Sequence, residues 1–292
     1  MKFAYFPGCS AKGSCSELDQ SMRLVCSRLG IEIEELKDAG CTGAREMRGV
    51  DAELHLAMNA RILALAEQRN ADLMVVCDTC LLNLTEVNHR LRRQPQLLQE
   101  TNAVLGNLGY TYRASVEVKH FLWVLLFDIG PNALRKHVVR PLTGLRVAPF
   151  YGCHIVRPQS LFGAKAGDTS DTLETLCEVL GCQPVDYKGR TDCCGFHVSA
   201  SDDFVPIHLA GSHVRSAASS GAHVMLTPCP LCHTVLDSFQ PAMERHARGK
   251  LSMPVLHLAQ IVGLAMGMEP KALKVDQHVV PFLFEPLAIQ AK

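Results

Sequence analysis

The 292-residue chain carries no surplus of charge: 29 lysines and arginines balance 29 aspartates and glutamates. That balance excludes the basic footprint of a nucleic-acid binder and the polybasic patch of a membrane-surface protein. Long apolar runs are missing too. The longest, Phe121-Leu122-Trp123-Val124-Leu125-Leu126-Phe127, closes at Asp128 and Gly130-Pro131, far short of the roughly 20 residues a membrane-spanning helix needs. It predicts a buried helix, with an interfacial or partner-facing helix as the alternative. No G-x-G-x-x-G follows a strand and no P-loop is present, so no nucleotide or flavin site is expected and any electrons must come from other chains. Met1 to Cys9 contain no apolar core and no cleavage pattern. A secretory signal is therefore not expected, and a cytoplasmic location is.

Cysteine is abundant. The chain has 13, an odd number, and is too long to need disulfide staples. Thiols in a reducing compartment are free or bound to metal, and the 13 histidines are a weaker hint in the same direction.

The cysteines fall in a repeat. Phe6-Pro7-Gly8-Cys9-Ser10 is echoed by Phe150-Tyr151-Gly152-Cys153-His154, Cys41-Thr42-Gly43 by Cys193-Cys194-Gly195, and Val75-Val76-Cys77-Asp78-Thr79-Cys80-Leu81 by Leu226-Thr227-Pro228-Cys229-Pro230-Leu231-Cys232. Three elements in the same order predict two related halves. Lys2 to Phe6, Arg146 to Tyr151, Asp72 to Val76 and His223 to Leu226 read as buried strands that end at cysteine. Residues 15–29, Ala52 to Gln68 and Thr172 to Leu180 read as helices. Strands alternating with helices predict an α/β fold: two pseudo-symmetric domains, each a small, mainly parallel sheet flanked by helices. The Pro/Gly-bearing stretch Asp128 to Gly144 is the expected linker, which divides the chain into residues 1–141 and 142–292. The tail after Met268, with Pro270, Pro281 and Pro286, is expected to be irregular, either wrapping over the other half or binding a partner.

Strand ends of a parallel sheet converge on one edge, where ligands bind. Cys153, Cys193, Cys194, Cys229 and Cys232 would bring five thiols to that edge, where they could surround a cluster of iron and sulfide. Cys9, Cys41, Cys77 and Cys80 would bring four, because Thr42 stands where the second half has Cys194. A hydroxyl is a poor iron ligand beside thiolate, so two chemically unlike centres are expected. Each CxxC is expected to open a helix, capped by Asp78 or Thr79 in the first half and started by Pro230 in the second. A helix N-terminus favours the thiolate, the form that binds metal. Structural zinc is the alternative for four cysteines per half; the fifth thiol and the long gaps count against it.

Other residues carry weaker signals. Cys26, Cys177 and Cys182 read as small buried hydrophobes. Cys15, in a loop just past Cys9, could add a thiol to the first site or be structural. His154 follows Cys153 and is either a proton donor or hydrogen-bond partner beside the second site, or a loop histidine bonded to backbone. His197 has a fainter claim to the same role. Arg157 could bind an anionic group or sit in a solvated salt bridge. His120, His223 and His257 read as structural.

The order Cys, long gap, Cys-Cys-Gly, long gap, CxxC, present twice from Cys9 to about Met268, resembles the cysteine-rich CCG-domain proteins and, among them, the B-type subunit of heterodisulfide reductase. The resemblance implies a noncubane [4Fe-4S] cluster on Cys153, Cys193, Cys194, Cys229 and Cys232, of the kind that splits disulfides in that family. Cys9, Cys41, Cys77 and Cys80 match the family pattern and Thr42 departs from it. Four thiolates suit a cubane [4Fe-4S] cluster. Cys194 and His154 are then the expected catalytic residues. The implied partners are a flavin-containing A-type subunit and a ferredoxin-like C-type subunit of the same complex. The departure at Thr42 points to the sulfur-oxidation branch, which adds a lipoate-binding protein as sulfur carrier and allows peripheral contact with a membrane through partners. Similar double-CCG chains also pass electrons toward quinone in succinate dehydrogenase, fumarate reductase and glycolate or lactate oxidation, which is the alternative reading.

Overall fold

The structure, a computed structural model, describes residues 1–162, 171–247 and 249–283. Two four-stranded parallel sheets form its frame. The first contains β1 (Lys2–Phe6), β2 (Glu32–Glu35), β3 (Asp72–Val75) and β4 (Val118–His120), in the order β2-β1-β3-β4. The second contains β5 (Arg146–Pro149), β6 (Gln183–Pro184), β7 (Val224–Thr227) and β8 (Val255–His257), in the order β6-β5-β7-β8. The same order in both halves is the structural form of the sequence repeat.

The central strands are buried on both faces and so read as short apolar runs. Phe3, Ala4, Tyr5 and Phe6 of β1 are buried, as are all four residues of β7. Phe3 pairs with Ile33 on one side and Asp72 on the other, and Val147 pairs with Pro184 and Val224. The edge strands were not legible in the sequence. β2 is charged and half exposed, and β6 is two residues long and ends in proline, which a strand tolerates at an edge.

The helices follow their sequence signals. α1 (Ser16–Arg28) buries Leu18, Met22, Val25 and Cys26 on one stripe, and the chain reverses at Gly30 with φ of 67°. α2 (Ala52–Gln68) begins where the Asp51 carboxylate accepts hydrogen bonds from the Glu53 and Leu54 N–H groups, at 3.1 and 2.8 Å. α3 (Asp78–Arg93) and α4 (Pro230–His233) open directly from the two CxxC motifs. Pro230 takes the first helical position as expected. Asp78 and Thr79 do not cap α3. Cys77 occupies the capping position without a side-chain bond, and Asp78 turns into the interior. Phe121–Trp123 is a single α-turn that passes into a wider π-helical stretch, Val124–Ile129. Phe121 to Leu126 are buried and Phe127 is partly exposed.

The described part of the tail lies against the body. Val279 and Val280 N–H donate to the Asp237 carboxylate at 2.8 and 3.0 Å, and Gln20 of α1 donates to the Ala272 carbonyl at 3.3 Å. The helix α5 (Leu258–Ala265) after β8 packs against α1, so the two halves share one buried core. Residues 284–292 of the tail lie outside the described residues.

Candidate metal centres

A sheet of this order has its topological switch between the two central strands, where loops leave in opposite directions and open a crevice. Cys9 follows β1, Cys41 follows β2, and Cys77 and Cys80 follow β3. Cys153 follows β5, Cys193 and Cys194 follow β6, and Cys229 and Cys232 follow β7. The fold therefore delivers every predicted thiol to the carboxyl edge of its sheet.

Glycines make the close approach possible. Gly8 and Gly152 precede the first cysteine of each half at φ of 76° and 68°. A Cβ on Gly152 would lie 2.8 Å from Cys232 Sγ, and one on Gly8 would lie 3.3 Å from Cys80 Sγ. Gly43 and Gly195, at φ of 82° and 87°, turn their N–H groups back onto Cys41 Sγ and Cys193 Sγ, each at 3.3 Å. An N–H aimed at sulfur favours the thiolate.

The sulfurs lie within reach of one another. Cys41 and Cys9 Sγ are 3.8 Å apart, and Cys232 and Cys194 Sγ are 3.4 Å apart. Proton sharing splits the Cys9–Cys41 and Cys153–Cys193 pairs. The bond from Cys41 holds the Cys9 thiol down at about 6 while Cys41 is pushed up, and the bond from Cys153 holds Cys193 down at about 5 while Cys153 is pushed up. Cys229 is held well below the thiol range despite its burial, through bonds from Cys232 and Cys77. Cys9 in the first half, and Cys193 and Cys229 in the second, are thereby poised to ionise and bind metal.

Thr42 sits where the other half has Cys194. Its hydroxyl lies 3.7 Å from Cys80 Sγ, while Cys194 Sγ lies against the equivalent Cys232. Thr42 is also fixed from behind, since its carbonyl accepts from Asn59 Nδ2 at 2.9 Å and its hydroxyl from Asn83 Nδ2 at 3.5 Å.

The two sites are neighbours. Cys77 and Cys229, from opposite halves, are close enough that each shifts the ionisation of the other. A cavity of about 100 Å³ at the first site is lined by Cys9, Cys41, Thr42, Cys77 and Cys80, together with Phe196, Pro230 and Leu231 from the second half.

His154 and His197 converge on one hydroxyl. Thr79 Oγ1 lies 2.9 Å from His154 Nδ1 and 3.3 Å from His197 Nε2, and His197 Nδ1 lies 2.8 Å from Glu46 Oε1. The two rings are 5.2 Å apart. Burial, reinforced by His197, pushes His154 down to about 4. This chain runs from an exposed carboxylate to the residue beside Cys153. Arg157 is exposed. Cys26 donates to Met22 Sδ at 3.3 Å and Cys182 to the Cys177 carbonyl at 3.2 Å, both buried. Cys15 does not face the first site; it lies against the Pro230 carbonyl and Thr234 Oγ1, at 3.6 and 3.4 Å.

Two groups take places other than those expected of them, Asp78 as a helix cap and His120 as a structural histidine. Asp78 is buried between the sites, its carboxyl pushed up by burial and by the charge of Cys229, Cys194 and Cys80. His120 Nε2 lies 3.4 Å from Asp78 Oδ1, and burial pushes His120 down to about 4. His257 holds the position in the second half that His120 holds in the first, at the end of the last strand. The pairing of Val118-Lys119-His120-Phe121 with Val255-Leu256-His257-Leu258 was a fourth element of the repeat and could have shown both.

Comparison with known proteins fits this geometry. The cysteine-rich domain family termed CCG matches residues 3–85 and 147–237, one copy per sheet. The chain is 37% identical to the 8-methylmenaquinol:fumarate reductase membrane anchor subunit of Wolinella succinogenes, over 96% of this chain and 97% of that one. It is 30% identical to a protein of Archaeoglobus profundus described as like the B-type subunit of heterodisulfide reductase, over 93% and 92% of the two chains. It is 28% identical to the B-type subunit of the ferredoxin:CoB-CoM heterodisulfide reductase of Methanosarcina mazei, over 96% and 94%. In fold it resembles a hypothetical protein from Helicobacter pylori, with a TM-score of 0.79 at 14% identity. That match covers 97% of this chain, which spans about half (53%) of the other. Among the described residues no helix is long and apolar enough to cross a membrane.

Proposed function

The chain belongs to the CCG cysteine-rich domain family, and from that membership we infer that it is the iron–sulfur, B-type component of a heterodisulfide reductase-like complex. Cys153, Cys193, Cys194, Cys229 and Cys232 would hold a noncubane [4Fe-4S] cluster in the half that begins at residue 142. Cys9, Cys41, Cys77 and Cys80 would hold a cubane one in the half that ends at residue 141. When bound, the five-thiol cluster supplies the iron that takes a substrate sulfur, and the four-thiol cluster supplies an electron relay.

The observation that carries this reading is the asymmetry at one position: Cys194 Sγ lies 3.4 Å from Cys232 Sγ, whereas its counterpart is the Thr42 hydroxyl, 3.7 Å from Cys80 Sγ. One half has a thiol to spare beyond a four-ligand site and the other does not. The reaction consumes one disulfide, two electrons from partner subunits and two protons, and releases two thiols. In the oxidative direction it runs backward, with the same partners accepting the electrons. His154, held by Thr79 beside Cys153, is the group we assign to hydrogen-bond the departing sulfur. The proximity of Cys77 and Cys229 supports an electron relay that would lie against the reactive site. A flavin-bearing A-type and a ferredoxin-like C-type subunit would supply or remove the electrons. A lipoate-binding protein is the sulfur carrier that the sulfur-oxidation reading requires, and the complex would work in the cytoplasm or at the membrane face through its partners.

A second reading has its own support. The 37% identity to the fumarate reductase subunit exceeds the 28–30% to the heterodisulfide reductase subunits, which favours delivery of electrons between quinone and a soluble acceptor. The complex, purified anaerobically, separates the two. Disulfide-dependent oxidation of a reduced viologen, lost in Cys194→Ala, supports the first reading. Quinol-dependent fumarate reduction with no thiol product supports the second and overturns the first.

A further inference from the structure

At the junction of the two halves, next to the second CxxC, a second set of donors converges, none of them among the nine cysteines. Cys15 Sγ, a Glu17 carboxylate oxygen and one ring nitrogen each from His233 and His257 lie within 4.8 Å of one another, and all four residues are buried. We propose that these four side chains bind one zinc ion that clamps the first half of the chain to the second. The proposal does not depend on the function assigned to the iron sites.

The donor set suits zinc. One thiolate, two imidazoles and one carboxylate make a tetrahedral site with sulfur, nitrogen and oxygen ligands. Bond lengths of about 2.0–2.3 Å place such ligand atoms about 3.3–3.7 Å apart, so the separations between these donors need to close by at most about 1.5 Å. His257 Nε2 and Glu17 Oε1 are already 3.2 Å apart. Two ionised ligands, thiolate and carboxylate, neutralise a divalent ion, so the buried site carries no net charge. Without an ion the arrangement is poorly compensated. Glu17 is 8% exposed, and its ion-pair partner among the described residues is His257, not a lysine or arginine. A dry carboxylate with no cation is costly.

The ligands are already oriented. His233 Nε2 lies 3.0 Å from the Val255 carbonyl oxygen, which can only accept. Nε2 therefore carries the proton and Nδ1 presents its lone pair, the tautomer arrangement by which proteins aim metal-binding histidines. The rings of His233 and His257 stack at 3.8 Å, and His278 closes the side at 4.6 Å from His233. The Thr234 hydroxyl lies 3.4 Å from Cys15 Sγ. Four protein ligands leave no open position, so the ion is structural.

The placement explains what the ion would do. Cys15 and Glu17 flank the first residue of α1 in the first half, His233 ends the helix that opens at Cys229, and His257 ends β8. One ion would tie the first half's helix to both elements that flank the second cluster.

Metal analysis of the anaerobically purified full-length protein tests this. The expected result is one zinc per chain in addition to iron, with zinc-edge X-ray absorption showing one sulfur and three nitrogen or oxygen neighbours. Cys15→Ala and Glu17→Gln should each lose that zinc, more than tenfold in occupancy at equal added Zn²⁺, with iron and acid-labile sulfide unchanged. Absence of zinc after incubation of the wild-type protein with Zn²⁺, a four-sulfur zinc environment, or zinc retained in both variants would each overturn the proposal. If Cys15→Ala does not accumulate, Glu17→Gln and the wild-type coordination decide alone.

Discussion

The Thr79 hydroxyl of the first half lies 2.9 Å from the imidazole Nδ1 of His154 in the second. One residue inside the first CxxC thus positions the residue beside the first cysteine of the other site, and each half completes the surroundings of the other's centre. An ordinary hydrogen bond contributes about 0.5–1.5 kcal/mol, or about two- to tenfold in a rate if it holds a reacting group in place. Thr79→Val is therefore expected to lower the disulfide-dependent turnover by up to about tenfold at unchanged iron content. His154→Ala should lower it further, within the roughly 10²–10⁴-fold range of general acid–base groups. Turnover per iron that is the same in all three proteins would remove both residues from the mechanism.

The asymmetry at Thr42 can be exchanged. Thr42→Cys would place a fifth thiol 3–4 Å from Cys80, as Cys194 stands to Cys232. The expected outcome is a change in the electron paramagnetic resonance of the first centre toward that of the second. Cys194→Ser should move the second centre the other way and abolish S–S chemistry. Spectra of the two centres that are alike in the wild-type protein would refute the distinction drawn between them.

Much of this was legible in the sequence because the chemistry is carried by short motifs at strand ends. The nine cysteines, the helix Ala52–Gln68 and the parallel α/β order are visible there, because buried strands read as apolar runs that end at cysteine. The edge strands β2 and β6 and the short β4 and β8 were not visible. They span two to four residues and have no period long enough to read. Contacts between the halves were invisible for a different reason. Cys15 and Pro230, or Glu17 and His257, are more than two hundred residues apart, and they meet where the halves pack, α1 against α5 among those contacts. Cys15 follows Cys9 closely in sequence yet faces the other half, with the short helix Gly8–Lys12 between them.

The glycine before each first cysteine should not be equally replaceable. A Cβ at Gly152 meets Cys232 Sγ at 2.8 Å, closer than side chains pack, whereas at Gly8 the nearest sulfur is 3.3 Å away. Both have positive φ, which costs a non-glycine residue about 1 kcal/mol or more. Gly152→Ala is expected to lose most of the iron of the second centre, and Gly8→Ala to keep most of that of the first. The measurement is iron per chain alongside the two resonance signals. Equal loss in both variants would show that the backbone conformation, not the crowding of the sulfur, sets the requirement.

Acid stability offers a test away from the metal sites. Glu35 accepts from Lys12 at 2.8 Å and from Arg23 at 2.5 Å, and these bonds hold its carboxyl below the usual glutamate range. A carboxyl with a lowered folded-state pKa binds fewer protons folded than unfolded. Its contribution is therefore present above the unfolded value of about 4.3 and is lost as pH falls through the folded one. The pair is partly solvated, so the contribution is modest, about 1 kcal/mol or less. Glu35→Gln should lower Tm by about 2 °C or less at pH 7, and the gap between the two proteins should close as the pH drops below about 4. A gap that persists at pH 3 would mean that Glu35 acts through packing of its side chain and not through its charge.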